Sequence, residues 1–264
     1  MKSSNDNIIK QSFTLQSKNF EKGKLNFEAK EYLNFAVNQI EPMKEDTVLE
    51  VAAGTCACGR SFAPFVQNVV CLDMTPAMLL VGKEKADKQG LKNMTFVMGD
   101  AGELPFLNNS FDIVISRLAF HHFPDINRSF NEMVRVLRPN GKLILIDMEA
   151  AEDNLRSVRD EIETMRDPSH IRNLSKEEML NLYLKHSFQV DECEVTEMPT
   201  LAENWLAFTE TSIPIRQEIM KRFENDVKGI EKTGFYPYRT DEGISFNHKW
   251  ILIIGRKPQT GQCL

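Results

Sequence analysis

Two acidic side chains and a glycine turn stand where the chain could hold a nucleotide-like ligand. Gly54 follows a β-rich run and precedes a helical pattern, so a ligand can approach the backbone and the N–H donors at the helix start. Asp73 ends the next β-rich run, where a carboxylate can accept both hydroxyls of a ribose. Asp100 follows a third run and can accept a hydrogen bond from an adenine amino group.

The elements that must position these residues are short β-rich runs that alternate with helical patterns. This alternation predicts an α/β fold with a parallel sheet flanked by helices. The predicted strands are residues 47–53, 68–74, 94–99, 111–116 and 142–147, with helices over 76–88 and 126–137. Thr75 is the expected N-cap of the first of these helices, with Pro76 at the first helical position. The resulting crevice lies outside the carboxyl ends of the strands.

After about residue 150 the regular alternation of short strands and helices ends. Residues 151–186 are predicted to form charged helices that break at Asp167, and Ser175 with Glu178 resembles a capping box. Residues 188–195 and 250–255 are the predicted sixth and last strands. The long segment between them is predicted to be mostly helical, and an insertion of that length is often a lid.

We therefore expect one domain over residues 1–264. Its parts are an N-terminal helical cap at 1–44, a cofactor-binding core at 45–150, a helical segment at 151–187 and an inserted lid at 200–243. The apolar anchors of the cap are Phe13, Phe20, Phe27, Tyr32 and Phe35.

Composition narrows the function classes. The chain has 264 residues, 42% hydrophobic content and a formal net charge of -6, which weighs against nucleic acid as a partner. No apolar run approaches the roughly 20 residues of a membrane span, and residues 1–10 lack the apolar stretch of a signal peptide, so we expect a cytoplasmic protein. The five cysteines are scattered, and the spacing of Cys56, Cys58 and Cys71 fits no common zinc pattern, so no metal is expected.

The segments at these strand ends resemble the class I S-adenosylmethionine-dependent methyltransferases. More closely, they resemble the ubiquinone/menaquinone-biosynthesis type of methyltransferase domain (type 11). The motifs that carry the resemblance occupy residues 50–55, 72–78, 99–106, 109–114 and 136–141. The resemblance implies a Rossmann-like, doubly wound, seven-stranded sheet that is mostly parallel with an antiparallel last strand.

The resemblance also implies roles for individual residues around S-adenosylmethionine. Residues 50–55 would wrap its methionine part, with Glu50 near the amino group, while Asp73 would hold the ribose. Met74 and Met78 would pack by the adenine, and Asp100 and Ala101 would contact its edge. The cofactor-binding set is thus Glu50, Ala52, Gly54, Thr55, Asp73, Met74, Met78, Asp100, Ala101 and Arg117.

The loop after the first strand departs from the family pattern of an acid followed by three alternating glycines. Only Gly54 is retained, and Ala52 and Cys56 occupy the other two glycine positions. We expect the bulkier Cys56 to shift the helix start or to tighten the pocket.

The acceptor side has weaker signals. The candidate catalytic residues are His122, Arg117 and His170. The first two belong to residues 116–122, which follow the fourth strand and face the crevice, and His170 belongs to the charged cluster at residues 166–172. Adjacent helical residues face different ways, so we expect His121 and His122 not to act as a ligand pair. The aromatic residues Trp205, Phe235, Tyr236 and Tyr238 would line a hydrophobic acceptor site or form a small satellite core.

The predicted function is methyl transfer from S-adenosylmethionine to a small molecule by direct displacement at the sulfonium methyl group. A non-catalytic cofactor-binding protein is the first alternative. A second is an NAD-dependent oxidoreductase, although the loop lacks the Gly-x-Gly-x-x-Gly pattern. A nucleic-acid methyltransferase is a minor option, because residues 116–119 lack the Asp/Asn-Pro-Pro-aromatic run typical of that class.

Overall fold

The protein is built on one mixed sheet. A computed structural model describes residues 4–17, 33 and 37–259, and its sheet has the order β3-β2-β1-β4-β5-β8-β6, with β7 added on β8. The strands are β1 Thr47–Val51, β2 Asn68–Asp73, β3 Met94–Met98, β4 Phe111–Arg117, β5 Leu137–Met148, β6 Gln189–Leu201, β7 Tyr238–Thr240 and β8 Gly243–Arg256. Strands β1 to β5 pair in parallel and β8 runs antiparallel to both its neighbours, which confirms the predicted doubly wound α/β fold.

Helices cover both faces of the sheet. They are α1 Ser4–Gln16, α2 Ala57–Phe62, α3 Pro76–Lys88, α4 Ile126–Val136, α5 Asp153–Arg166, α6 Lys176–Leu184, α7 Ala202–Phe208 and α8 Ile213–Val227, with 3-10 turns at Ala63–Phe65 and Phe120–His122. Ser175 and Glu178 form the predicted capping box of α6. Thr75 occupies the predicted N-cap position of α3, but its side chain makes no capping hydrogen bond.

The central strands are apolar on both faces because each face is covered. Along β1, Val48 packs into one core and Leu49 into the other, and both side chains are fully buried. Full burial of such a side chain stabilises the fold by about 1.5–3 kcal/mol. This arrangement makes the carboxyl ends of β1, β2 and β4 a rigid edge from which loops can present a site.

The last two long strands extend further than predicted. Strand β6 continues to Leu201 instead of ending at residue 195, and β8 begins at Gly243 instead of residue 250. The added residues pair with each other, from Thr196 opposite Trp250 to Leu201 opposite Ser245. They support a third apolar core centred on Trp205, so the insertion packs on a sheet extension that the apolar pattern does not reveal.

The N-terminal cap is described in part. Helix α1 packs against α3, and Phe13 lies on it. The other predicted anchors Phe20, Phe27, Tyr32 and Phe35 lie outside the described residues. Within the described ranges, no helix combines the length and apolarity needed to cross a membrane.

Candidate functional site

The loop after β1 keeps the backbone shape of a three-glycine loop although it has only one glycine. Ala52, Gly54 and Cys56 have φ of 54°, 53° and 58°, so every second residue is left-handed. That conformation costs a residue with a Cβ about 1–2 kcal/mol. A Cβ added to Gly54 would meet no atom within 4 Å, so the space in front of the loop is open.

Cys56 is accommodated behind this loop. It is fully buried and occupies the N-cap position of α2 without a side-chain capping bond. Gly82 of α3 lies against the loop, where a Cβ would approach the Cys56 sulfur and the Thr55 carbonyl oxygen to 2.8 Å each. The loop is therefore packed tightly against α3.

The Asp73 side chain forms hydrogen bonds with both the loop after β1 and the loop after β2. Its Oδ2 accepts a hydrogen bond from the Gly54 N–H at 2.8 Å, and its Oδ1 accepts one from the Thr75 N–H at 2.8 Å. Burial raises the pKa of Asp73, while these backbone donors oppose the shift. The Thr75 hydroxyl and the Met74 N–H also lower the pKa of Asp73, and a carboxylate with about four acceptor sites could be shared between such donors and a ribose.

Glu50 is a buried carboxyl at the start of the loop. Its Oε2 accepts a hydrogen bond from the Gly59 N–H at 2.8 Å and contacts the Cys71 sulfur at 3.6 Å. Burial raises the pKa of Glu50 to about 7, against the lowering effects of the Gly59 N–H and the Arg117 guanidinium. The backbone is thus one partner of this carboxyl, and a cationic ligand group would be another.

One cavity joins most of the predicted cofactor residues. It encloses about 1370 Å³ of empty space, a figure that includes the open solvent at its mouth. The predicted residues on its wall are Glu50, Ala52, Gly54, Thr55, Asp73, Met74, Asp100, Ala101 and Arg117. Met78 is not on the wall, because its side chain points from α3 into the protein and is 1% exposed.

Asp100 has a local role as well as its place on the wall. Its Oδ1 accepts a hydrogen bond from the Gly102 N–H at 2.8 Å, which closes a turn, and Asp100 also pairs with Glu103 in an isolated bridge. The second carboxylate oxygen remains available for a ligand.

A buried His–Asp pair borders the cavity beyond the carboxyl end of β4. Nδ1 of His121 is 2.6 Å from Oδ1 of Asp147, and the ring lines the cavity. Asp147 also accepts hydrogen bonds from the N–H groups of Phe120 and Met148 at 2.7 Å each. Burial opposes a higher pKa of His121, but the Asp147 carboxylate raises it overall. With Nδ1–H directed to Asp147, Nε2 of His121 carries the basic lone pair.

The sequence alone does not predict this pair. Asp147 is expected only at the end of a strand, and His121 and His122 are excluded only as a ligand pair, because adjacent residues of an α-helix diverge. The two histidines instead lie in the 3-10 turn Phe120–His122, where both rings reach the cavity with their centroids 4.1 Å apart. A polar residue ending a central strand was the signal that could have identified Asp147.

His122 links the turn to two covering segments. Its Nδ1 donates to the Ser169 carbonyl oxygen at 3.0 Å, and its ring meets the Phe13 ring edge-on at a centroid distance of 4.9 Å. Burial and the neighbouring His121 lower the pKa of His122 to about 3, so the ring is neutral. Gln16 of α1 donates to Asp167 Oδ2 at 2.8 Å, so α1 and residues 167–169 are joined over the cavity.

The remaining catalytic candidates lie in different places. Arg117 is on the cavity wall, with its guanidinium 5.3 Å from the Trp250 ring centroid. His170 is not on the wall, because its Nε2 pairs with Asp160 Oδ1 at 2.9 Å behind it. The structure therefore brings His122 and Arg117 to the cavity but not His170.

The aromatic residues of the insertion mainly form the satellite core. Phe235 and Trp205 are buried in it with their ring centroids 5.3 Å apart, whereas Tyr236 and Tyr238 are exposed. Trp205 alone of these four also reaches the cavity wall.

Cys56, Cys58 and Cys71 are buried free thiols, and Cys58 also lines the cavity. Burial raises the pKa of Cys71 well above its ordinary value, which disfavours the thiolate form that metals require. Across the described ranges, no group of three or more metal-binding side chains was found.

Known methyltransferases resemble this chain over most of its length. Residues 49–145 match the family described as "Methyltransferase domain". The uncharacterized methyltransferase YcgJ of Bacillus subtilis is 30% identical over 230 residues, which cover 86% of this chain and 90% of that protein. Demethylmenaquinone methyltransferase of Listeria monocytogenes (HCC23) is 38% identical over 107 residues, or 39% of this chain and 45% of that protein.

Solved structures agree with the sequence comparisons. The crystal structure of YcgJ superposes with a TM-score of 0.79 at 29% identity and covers 86% of this chain and 98% of that one. The protein BH2331 of Bacillus halodurans C-125 gives the same TM-score and identity, with 86% and 99% coverage. The chain therefore belongs to the class I S-adenosylmethionine-dependent methyltransferases, which confirms the resemblance predicted from the strand-end motifs.

Proposed function

We propose that the protein transfers the methyl group of S-adenosylmethionine to a small-molecule acceptor by direct displacement, as an enzyme of EC class 2.1.1. The observation that carries this proposal is the single cavity whose wall includes both the Gly54 loop and His121. Glu50, Gly54 and Asp73 would hold the methionine and ribose parts of the cofactor. The open space in front of Gly54 and the Asp73 carboxylate on the cavity wall fit that group.

His121 acts in this proposal as the general base. The acceptor's electron pair forms the new bond to the methyl carbon while the carbon–sulfur bond breaks and its pair returns to sulfur. The acceptor's proton passes to Nε2 of His121, and Asp147 stabilises the imidazolium through Nδ1–H. Arg117 and His122 shape the acceptor side, and the acceptor atom is one that carries a removable proton.

Two elements would exclude water from the reaction. Helix α1 contributes Ile9 and Phe13 to the cavity wall, and α7 contributes Trp205 and Phe208. The proposal assigns both elements to a lid that closes over bound cofactor and acceptor, because a dry site strengthens the interactions that orient the two reactants.

Two measurements test the proposal in sequence. Calorimetry should show one S-adenosylmethionine bound per chain, and NADH should show no binding. Incubation with methyl-tritiated cofactor and pooled metabolites should then give labelled product. Cofactor binding without label transfer to any pool would favour the non-catalytic alternative, and absence of cofactor binding would reject both.

A further inference from the structure

Arg166 is a buried cation on the cavity wall. It is the last residue of α5, and its side chain is 9% exposed. Its guanidinium carbon lies 4.4 Å from the Trp205 ring centroid, so a cation–π contact holds the group over the indole face. The lid wall thus presents a positioned positive charge inside the cavity.

The guanidinium of Arg166 lacks the hydrogen bonds that such a buried group requires. Nε and Nη1 are buried and have no hydrogen-bond partner within the described part of the chain. Its ion-pair partner is Glu163, whose Oε2 is 3.7 Å from Nε, beyond hydrogen-bond distance. Buried charged donors without acceptors are costly, so the arrangement suits a ligand that supplies acceptors.

The neighbouring carboxylate does not supply them. Asp167 directs Oδ1 to the N–H and hydroxyl of Ser169, at 2.9 and 2.6 Å, and directs Oδ2 to Gln16. Asp167 therefore tethers the covering segments and leaves Arg166 to the cavity.

We propose that Arg166 binds an oxyanion, a carboxylate or a phosphate, carried by the methyl acceptor. This inference rests on the proposed function, because it assigns a substrate class to the same cavity. Arg is suited to the role because its planar fork pairs with two oxygens of one anionic group. The acceptor would direct its proton-bearing atom to His121 and its anionic group to Arg166, with Trp205 and Phe208 as an apolar wall between protein core and ligand.

A matched set of probes tests the inference on the full chain saturated with S-adenosylhomocysteine. The probes are 4-hydroxybenzoate, 4-hydroxyphenyl phosphate and the neutral 4-hydroxybenzamide. We expect the carboxylate or the phosphate to bind at least about 30-fold more tightly than the amide, as for buried charge pairs. The arm that shows the preference distinguishes the carboxylate class from the phosphate class.

Two variants separate the site from general charge effects. Arg166→Met should remove the preference for the anion. Arg159→Met is the control, because Arg159 is equally buried on α5 and stacks on Phe235 at 4.9 Å but does not line the cavity, and it should keep the preference. If Arg166→Met does not fold, Arg166→Lys should weaken the preference by about tenfold, because Lys is a point charge without the fork.

The failures of the two proposals are distinguishable. Absence of S-adenosylhomocysteine binding to the wild-type chain would reject the proposed function itself. Normal cofactor binding with no anion preference in the wild type, or with a preference that survives Arg166→Met, would overturn the role of Arg166 alone.

Discussion

Asp73 accepts a hydrogen bond from the backbone N–H of Gly54, with 2.8 Å between nitrogen and Oδ2. The bond joins the loops that follow β1 and β2, which are adjacent parallel strands. This carboxylate therefore fixes the position of the loop that, in the proposed function, would face the methionine part of the cofactor. If Asp73 also binds the ribose, as we propose, one side chain would combine structural support with ligand contact.

Asp73→Asn should therefore weaken cofactor binding more than it weakens the fold. The amide keeps one acceptor but loses the charge and half of the acceptor capacity, so we expect affinity for S-adenosylmethionine to fall by about 10-fold or more. Calorimetry measures the affinity, and thermal unfolding measures the stability. Asp87→Asn, in an exposed pair with Lys83, is the control and should change neither. Equal affinity in wild type and Asp73→Asn would remove Asp73 from the site.

Gly54→Ala should lower the stability of the protein slightly, through backbone strain, and lower cofactor affinity strongly, through loss of space for the ligand. The left-handed φ of 53° makes the substitution cost about 1 kcal/mol in unfolding free energy, with no steric clash inside the protein. The added methyl group projects into the open space in front of the loop, so cofactor affinity should fall much further, by about 100-fold. Denaturant unfolding and calorimetry give the two numbers.

Gly229→Ala is the matched control for that experiment. Gly229 has φ of 73° and also has no atom within 4 Å of an added Cβ, but it lies after α8 and away from the cavity. It should show the same loss of stability with unchanged cofactor affinity. A similar loss of affinity in both variants would mean that global destabilisation, and not the loop, controls binding.

Cofactor affinity should rise with pH around neutrality. Because burial raises the pKa of Glu50 to about 7, the carboxyl is partly protonated at neutral pH and becomes the anion that a cationic ligand group needs as the pH rises. Calorimetry from pH 6 to 8 should show tighter binding across this window. Glu50→Gln should bind more weakly and without this dependence, and a retained pH dependence would assign it to another group.

The same titration predicts the stability of the free protein. The folded-state pKa of Glu50 is higher than its ordinary value of 4.5, so the folded protein holds the proton longer than the unfolded chain does. The free energy of unfolding should therefore decrease as the pH rises from 4.5 to about 7. Glu50→Gln should lack this decrease, which denaturant unfolding at several pH values would show.

The rate of methyl transfer should fall on the acidic side of the profile as His121 takes up a proton. Asp147 raises the pKa of His121 above 6.5, and the protonated ring cannot act as a base. Asp147→Asn should shift this acidic limb to lower pH, and His121→Gln should lower kcat by about 100-fold or more while cofactor affinity is kept. His186→Gln, outside the cavity, serves as the control; an unchanged profile in Asp147→Asn would exclude the pair from proton transfer.

The strand-end residues were predictable because their positions follow from topology. Once the parallel strands are recognised, Glu50, Asp73 and Asp100 must lie near the same edge of the sheet. The pairing of His121 with Asp147 depends instead on the 3-10 turn after β4, and no residue pattern predicts that turn. The place of Arg166 depends on how the end of α5 packs on Trp205 in an insertion 39 residues further along the chain.

Two predicted site residues are not on the cavity wall, and the reason in each case is local. Met78 has the motif position of an adenine contact, but the first turn of α3 directs it into the core. His170 belongs to the charged cluster that covers the site, yet the turn at Asp167 directs it to Asp160, away from the cavity. Side-chain direction within a predicted element therefore decides which candidates reach the cavity wall.

The rate at which the buried thiols near the loop react with a labelling reagent would report how often that loop opens. Cys58 lines the cavity while 1% exposed, and Cys56 and Cys71 lie behind it. Maleimide should therefore modify Cys56 and Cys71 only as fast as the loop separates from the sheet, and it should modify the half-buried Cys193 faster. A bound cofactor should slow the labelling of the buried thiols and leave that of Cys193 unchanged. A labelling time course would therefore measure how much of the protein has ligand bound.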